Sequence, residues 1–567
     1  MEKNQSLIRT LLEKADRLWA RFLFFIFRRM VARTQYQLLE VSLEGSIPER
    51  APFTGWIPFP VDLSFSEIEK VLLAAALDPK ISHVLIQINQ LRTGWARVQS
   101  FARAIDAIRE KGKKVIAILG VAGTKEFTLA CRADEVVAIP TGFIGFSGIS
   151  VDLTFFREML DKVTIEPDLE TAGENKSASE VFMRKAPSRS HKEQMKSLID
   201  SLFDWSVSSV AERRGLDVKE VTKLVDAGPF VPSEALENKL VDRLAYRDEI
   251  IDELKINGKK LKRINARRYV RIITRFNELV ARSGNRRRIG IVNLRGSIVD
   301  HRDDSGGGSG IVADRVVPLL RALRRDINVK AVILRISSPG GSAFASDRIW
   351  REVHTLAKKK PVIGSLGDVA ASGGYYIATA CDHLLVEQST ITGSIGVVAG
   401  KFSLKGLYRR LGIGKSTIQR GESAGIFSLS APFSDKERDR LKKILAETHR
   451  QFKERVGKGR SLKQDKVEEV GQGQVFTGDQ AVKLGLADEF GSLERALEVA
   501  RIKAKLPALE PLLVDMYPKP KIPWTKALAM MGATQSWPLS QILEDMSLLK
   551  LFDGTPLLLM PFDLHIE

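Results

Sequence analysis

A repeat governs what this chain can fold into. Val84–Ile88 (VLIQI) matches Val332–Ile336 (VILRI), and Ala133–Ile149 (ADEVVAIPTGFIGFSGI) matches Cys381–Val397 (CDHLLVEQSTITGSIGV), both pairs at one and the same offset. Asp134 and Gly145 thereby coincide with Asp382 and Gly393, and the EGSI at Glu44 echoes the RGSI at Arg295. Two copies of one unit predict two similar domains, and 567 residues are too many for a single core. Within each copy, strand and helix patterns alternate. The first copy reads as strand 38–43, helix 65–77, strand 84–88, helix 98–111 and strand 115–119. The second reads as strand 289–294, helix 312–325, strand 332–336, helix 345–356 and strand 362–365. Strands spaced by helices form parallel sheets with crossover connections, so the expected class is α/β. Between the copies, the basic segment 265–288 reads as a linker helix.

The copies are informative where they differ. Ser372 lies in GDVAASGGYYIA (Gly367–Ala378), and its counterpart in GVAGTKEFTLA (Gly120–Ala130) is Thr124. Gly373 corresponds to Lys125. The loop SSPGGS (Ser337–Ser342) corresponds to NQLRTG (Asn89–Gly94), so Pro339, Gly340 and Gly341 become Leu91, Arg92 and Thr93. Conversely, Lys176 in TAGENKSASEVF (Thr171–Phe182) corresponds to Ala424 in QRGESAGIFS (Gln419–Ser428). Each copy holds what the other lacks, which one composite site explains.

Acyl transfer needs a nucleophile, a base and donors for the developing oxyanion. Ser372 follows a strand and precedes a helical pattern, a position that presents a hydroxyl together with the next N–H. Gly373 lets a substrate backbone approach. Gly340 and Gly341, after the neighbouring strand, can aim a second N–H at the same point, and one such donor is worth about 2.7–4 kcal/mol in the transition state. Either glycine loop alone reads as a tight turn; two in consecutive units around one serine read as a site. Seven histidines are present. Only His383, eleven residues beyond Ser372 and beside Asp382, invites a triad, and it reads better as a surface residue entering a strand. Lysine can replace histidine as base, but it must be neutral. Lowering a lysine from about 10.4 to about 7 disfavours its charge by roughly 4.6 kcal/mol, which takes burial or a nearby cation. Lys176 alone reads as a surface lysine; the complementarity of the copies is what singles it out. Ser394, in ITGSIGV (Ile391–Val397), is either a turn serine or a group that orients the lysine.

The formal net charge of +19 suits an anionic partner. No zinc spacing, basic zipper or RNA-binding aromatic signature accompanies it, so nucleic acid is not expected. The six-residue apolar run Phe22–Phe27, flanked by Arg21, Arg28 and Arg29, is too short to span a bilayer. Residues 1–35 read as an amphipathic helix for a membrane interface, or else for docking on the protein itself or another subunit. Two cysteines, Cys131 and Cys381, form no disulfide framework.

The motifs SPGGS, GDVAASGGYYIA and TGSIGVV in the second copy, with ENKSASEVF in the first, resemble signal peptide peptidase A in its long, internally duplicated form. The resemblance spans roughly 36–500. It implies tandem crotonase/ClpP-like domains, a serine endopeptidase with Ser372 as nucleophile and Lys176 as general base, Ser394 supporting the lysine, and an oxyanion hole from Gly373, Gly340 and Gly341. It implies no metal or cofactor. It further implies a bowl-shaped homo-oligomer, by resemblance a tetramer, at the bacterial inner membrane, degrading signal peptide remnants. The expected organisation is an N-terminal amphipathic helix (1–35), a crotonase-like domain supplying the lysine (36–264), the linker helix (265–288), a crotonase-like domain supplying the serine and oxyanion hole (289–505), and a C-terminal extension (506–567). Family members of this length usually begin with a clear spanning helix, which the short arginine-flanked run does not match.

Three rivals remain. GESAG (Gly421–Gly425) fits an esterase nucleophile elbow around Ser423, which requires a strand before it and a helix after it. A crotonase-type acyl-CoA enzyme would use glycine loops without Ser372 or Lys176. A non-catalytic membrane scaffold would need neither.

Overall fold

The computed structural model describes residues 36–49, 63–256, 258–283, 287–301, 310–507, 513–518 and 556–560. The expected N-terminal amphipathic helix and most of the C-terminal extension, including the apolar piece 528–531, lie outside these residues.

The first copy is built on β1 (Leu38–Gly45), β2 (His83–Leu91), β3 (Lys114–Gly123) and β4 (Glu135–Gly145), with α1 (Phe65–Leu77), α2 (Trp95–Glu110) and α3 (Thr124–Ala130) between them. A strand β5 (Glu166–Ala172), a long helix α4 (Arg189–Arg214), short edge strands β6 (Arg243–Leu244) and β7 (Arg263–Asn265), and the basic helix α5 (Ala266–Ser283) follow. The sheet order is β6-β4-β3-β2-β1-β7, parallel throughout. Its strands are near-continuous runs of Val, Ile and Leu because helices cover both faces. α1 starts where Ser64 and Glu67 satisfy each other's backbone N–H groups. Its Phe65, Ile68, Val71 and Leu72 then pack against the β-sheet core.

The second copy repeats the frame. It comprises β8 (Arg288–Arg295), β9 (Ile298–Val299), β10 (Ile311–Val312), α6 (Ala313–Arg325), β11 (Val329–Ser338), β12 (Gly340–Ser342), α7 (Ala343–Ala357), β13 (Val362–Ala371), α8 (Gly373–Ala378), β14 (His383–Val386), β15 (Ile391–Gly393) and β16 (Val397–Ser403). Beyond them come α9 (Asp435–Arg460), β17 (Val475–Thr477), β18 (Glu489–Phe490), α10 (Leu493–Lys503), β19 (Leu513–Tyr517) and β20 (Leu557–Leu559). The offset of the sequence repeat carries both ends of β3 onto the ends of β13, and the first residue of α2 onto the first residue of α7. The main sheet runs β17-β15-β13-β11-β8-β19, with β14 pairing β13 and β18. The tandem α/β architecture expected from the duplication is therefore present, and the helix α5 runs over Ala266–Ser283 between the two sheets.

Three local features differ from the sequence expectation. The strand expected over 362–365 continues to Ala371, directly before Ser372. The glycines of SPGGS form a strand rather than a turn. Part of the expected extension is built into the folded units: β19 joins the second main sheet beside β8, and β20 enters a third sheet of order β10-β9-β12-β20-β16-β5.

That third sheet joins the copies. β5, encoded in the first copy, pairs antiparallel with β16 of the second along its whole length, from Val397↔Ala172 to Ser403↔Glu166. The junction is reinforced by Arg335, whose Nε donates to Glu49 Oε1 at 2.9 Å with both side chains buried. Gln99 Oε1 accepts from the N–H and hydroxyl of Ser389 at 2.9 and 2.8 Å. A buried charge pair is costly to break on one side, by about 3–5 kcal/mol.

Candidate active site

Ser372 sits between β13 and α8, with φ 51° and ψ −112° and no solvent exposure. Non-glycine residues rarely adopt positive φ, and such strain persists only where the surroundings hold it. Here the Ser372 N–H donates to Gly393 O at 2.8 Å, while Ser372 O accepts from Tyr376 N at 2.8 Å. The side chain is thus fixed at the head of α8, where Gly373 supplies the first helical N–H, a group without an intrahelical acceptor.

Lys176 arrives through β5. Because β5 and β16 are antiparallel with Ala172 opposite Val397, the residues just after Ala172 and just before Val397 meet at one end of the pair. Lys176 comes shortly after Ala172, and Ser394 shortly before Val397. The Lys176 Nζ lies 2.9 Å from Ser372 Oγ, 2.9 Å from Ser394 Oγ and 2.9 Å from Ser394 O, joining positions 196 and 218 apart in sequence. Ser394 also has a positive φ, 53°, which turns its carbonyl and hydroxyl toward one point.

Burial holds the Lys176 amine well below the usual lysine range. A neutral amine has two N–H groups and one lone pair. The Ser394 carbonyl can only accept, so at least one of the two hydroxyls donates to the lone pair. With Ser394 Oγ accepting the second N–H, Ser372 O–H points at the amine.

The lysine loop is stitched down by a segment the sequence reading did not single out. Asn175 N donates to Gln472 O at 2.7 Å, and Ser394 N donates to Gln474 O at 2.7 Å. Between them Gly473 has φ +94°, and a Cβ there would lie 2.8 Å from both Lys176 N and Lys176 Cβ. Its only sequence signal was the GQGQ run (Gly471–Gln474) before a strand. His449 adds a clamp, its Nε2 2.6 Å from Gly471 O and 3.2 Å from Ile395 O. Burial pushes its pKa down.

The glycine strand β12 lies beside the head of α8. Gly340 (φ +110°) and Gly341 (φ +147°) adopt conformations that favour glycine. A Cβ on Gly340 would stand 2.9 Å from Gly373 N, so β12 and the head of α8 share one small space. The Gly340 N–H donates to Ser338 Oγ at 3.1 Å, and Gly341 faces Leu558 of β20 across the ladder.

Other candidates lie elsewhere. His383 opens β14 half-buried, its Nε2 3.1 Å from Glu489 Oε1. Ser423 lies in a run of exposed turns, without the strand-to-helix setting that an esterase elbow needs. The first copy's Thr124 bonds only locally, its hydroxyl donating to Gly148 O at 2.7 Å.

A strained serine at a strand-to-helix junction, a buried amine of lowered pKa against its hydroxyl and helix-head N–H groups define a serine hydrolase in chemical class. Comparison with known proteins narrows this. Serine protease SPPA, chloroplastic, of Arabidopsis thaliana is 34% identical over 477 residues, covering 83% of this chain and 69% of that one. Protease 4 of Haemophilus influenzae is 30% identical over 456 residues, covering 78% and 73%. Protease 4 of Salmonella typhi is 26% identical over 470 residues, covering 80% and 75%. The profile of peptidase family S49 matches twice, over residues 107–262 and 354–507, one match in each copy. The chain belongs to peptidase family S49, and it is a serine endopeptidase acting on peptide substrates.

Proposed function

We propose that Ser372 is the nucleophile and Lys176 the general base of a dyad that hydrolyses peptide bonds in unstructured apolar peptides, such as remnants of signal peptides. The observation that carries this reading is the 2.9 Å approach of a buried amine to a buried, strained serine hydroxyl. Such a distance is within proton-transfer reach. Lys176 takes the Ser372 proton as Oγ bonds to the scissile carbonyl carbon. The resulting oxyanion is received by the Gly373 N–H together with the N–H groups of Gly341 and of Gly340, the latter giving up its bond to Ser338 Oγ. The Lys176 ammonium then returns the proton to the departing amine, and the C–N bond breaks. Water, deprotonated by the same lysine, releases the acyl group and restores the hydroxyl. Ser394 keeps the amine aimed throughout.

Under this reading the unit 36–264 brings the base and the unit 289–505 brings the nucleophile and oxyanion hole. The segment 1–35 holds the protein against an anionic lipid surface at a bacterial inner membrane, in a homo-oligomer. Among the described residues no helix is long and apolar enough to cross a membrane.

The test is labelling with a fluorophosphonate and cleavage of an unstructured apolar peptide. Parent protein should be labelled at Ser372 and should cleave; Ser372→Ala and Lys176→Ala should do neither. If both variants cleave like the parent, the dyad is wrong.

A further inference from the structure

The third sheet has an unexpected member. β20 lies between β12, which carries Gly340 and Gly341, and β16, which starts shortly after Ser394. These are the two walls beside Ser372. β20 runs antiparallel to β12 with Leu559, Leu558 and Leu557 opposite Gly340, Gly341 and Ser342, and its Leu557 is also opposite Val398. Ala343 N donates to Pro556 O at 3.1 Å and Met560 N donates to Pro339 O at 2.8 Å, closing both ends of the ladder. Leu558 O stands 1.9 Å from where a Gly340 Cβ would be, and Gly373 N stands 2.9 Å from that same point. The tail backbone therefore presses on the space from which the oxyanion is to be received.

The side chains behave as those of a bound peptide. Leu557 and Leu559 enter one apolar pocket with Leu169, Val181, Phe182 and Phe402. Leu558 points the other way into the core of the second copy, and Met560 packs with Trp95 and Ala371. All four are at most 2% exposed. Strand addition with alternate side chains read by pockets is a general mode of peptide recognition.

We propose that residues 556–560 are an intramolecular ligand of the peptide groove, occupying the strand position of a substrate and leaving when one binds. This rests on the reading that Ser372 and Lys176 cleave peptides held in that groove. The strand is an accessory to the duplicated frame: it lies beyond both copies, well after β19 ends at Tyr517. Its hold is short, from Leu557 to Leu559 against β12 and at Leu557 alone against β16. Pro556 has no N–H to extend it. An effective concentration of about 1 mM against an intrinsic affinity of about 0.1 mM gives roughly tenfold inhibition, an occupancy a substrate can overcome. The pocket contents also define the substrate class: extended peptides with leucine-sized apolar side chains at alternate positions.

The probe is a fluorescent peptide of sequence PLLLMP, its anisotropy read against Ser372→Ala protein, full length and lacking residues 556–567. The truncated form should bind about tenfold more tightly. With Ser372 restored, truncation should raise kcat/KM for an apolar peptide by a similar factor. Leu558→Asp in the full chain should act like truncation. In the parent, excess PLLLMP should speed hydrogen exchange at 557–560. Equal affinities with unchanged kcat/KM overturn the proposal. So does loss of cooperative melting in both altered chains, since the strand is then a permanent part of the fold. Binding needs no chemistry, so these readouts stand apart from failure of the dyad, which appears as undiminished cleavage by Ser372→Ala.

Discussion

The two copies share a backbone frame and differ in what fills its centre. At the end of β3 the first copy has Thr124, whose hydroxyl is spent on Gly148 O, and just after it Glu126. The Glu126 carboxylate accepts from Gly123 N at 2.9 Å and from Leu91 N. Their counterparts in the second copy are Pro339, which has no N–H, and Ala371. An internal carboxylate thus caps the strand-to-helix junction of the first copy. In the second copy the position of Glu126 is Gly374, which carries no acid. The first copy contributes instead through β5, which reaches across to deliver Lys176. One fold supports a filled, structural centre and a reactive one, and the difference lies in a few side chains at the strand-to-helix junction.

This contrast can be broken in several ways. The largest effect belongs to the junction residues: Ser372→Ala should lower kcat/KM by about 10⁴-fold or more, whereas Thr124→Ala should leave it within about twofold in the same peptide assay. Equal losses would erase the distinction between the copies. Next is Lys176→Met, expected to lower kcat by about 10²–10⁴-fold and slow fluorophosphonate labelling in parallel. Parent kcat/KM should rise with pH through an ionisation well below the ordinary lysine range, because the base must lose its proton. The same lysine links folding to pH. Above its lowered folded pKa it is neutral when buried but protonated in the unfolded chain up to about pH 10.4, so unfolding takes up a proton there. Its contribution to stability should therefore increase with pH from the lowered folded value to about 10.4, and Lys176→Met should flatten that slope in urea titrations.

A third change tests the stitching. Gly473→Ala places a Cβ against Lys176 backbone and strains a positive φ; displacing the base by about 1 Å should cost about 10²-fold in kcat, with global melting little altered. Ser394→Ala removes one hydrogen bond from Lys176; about 1 kcal/mol corresponds to a drop of roughly 5–10-fold, with the pH–rate profile displaced. The smallest catalytic effect is expected from Glu126→Gln. It should leave cleavage within about twofold and destabilise the first copy by about 1–2 kcal/mol, through weaker bonds to Leu91 N and Gly123 N, seen as a lower melting temperature.

Much of the frame was legible because it rests on local signals. Val, Ile and Leu runs separated by amphipathic helices give the parallel sheets, and the fixed offset places Ser372 opposite Thr124. The glycine loops were recognisable as a pair, although Gly340–Ser342 is a strand, since a run of glycines fixes no secondary structure by itself. Gly473 was not legible. Its need for a positive φ comes from Lys176, which is encoded in the other copy, and no local pattern records that approach. β20 was missed for a related reason: LLLM is apolar wherever it goes, and only the open edges of β12 and β16 say where.

The sequence by itself determined that there are two α/β units, that the serine and its glycines belong to the second, and that the lysine singled out by the mismatch between copies belongs to the first. Each of those follows from short stretches compared within one chain. The tertiary structure decided that Ala172 stands opposite Val397, which brings Lys176 to Ser372 and buries it so that its pKa falls well below the usual lysine range. A pairing register between distant strands and the loss of water around a charge are properties of the assembled fold, and neither is written in any one stretch of chain.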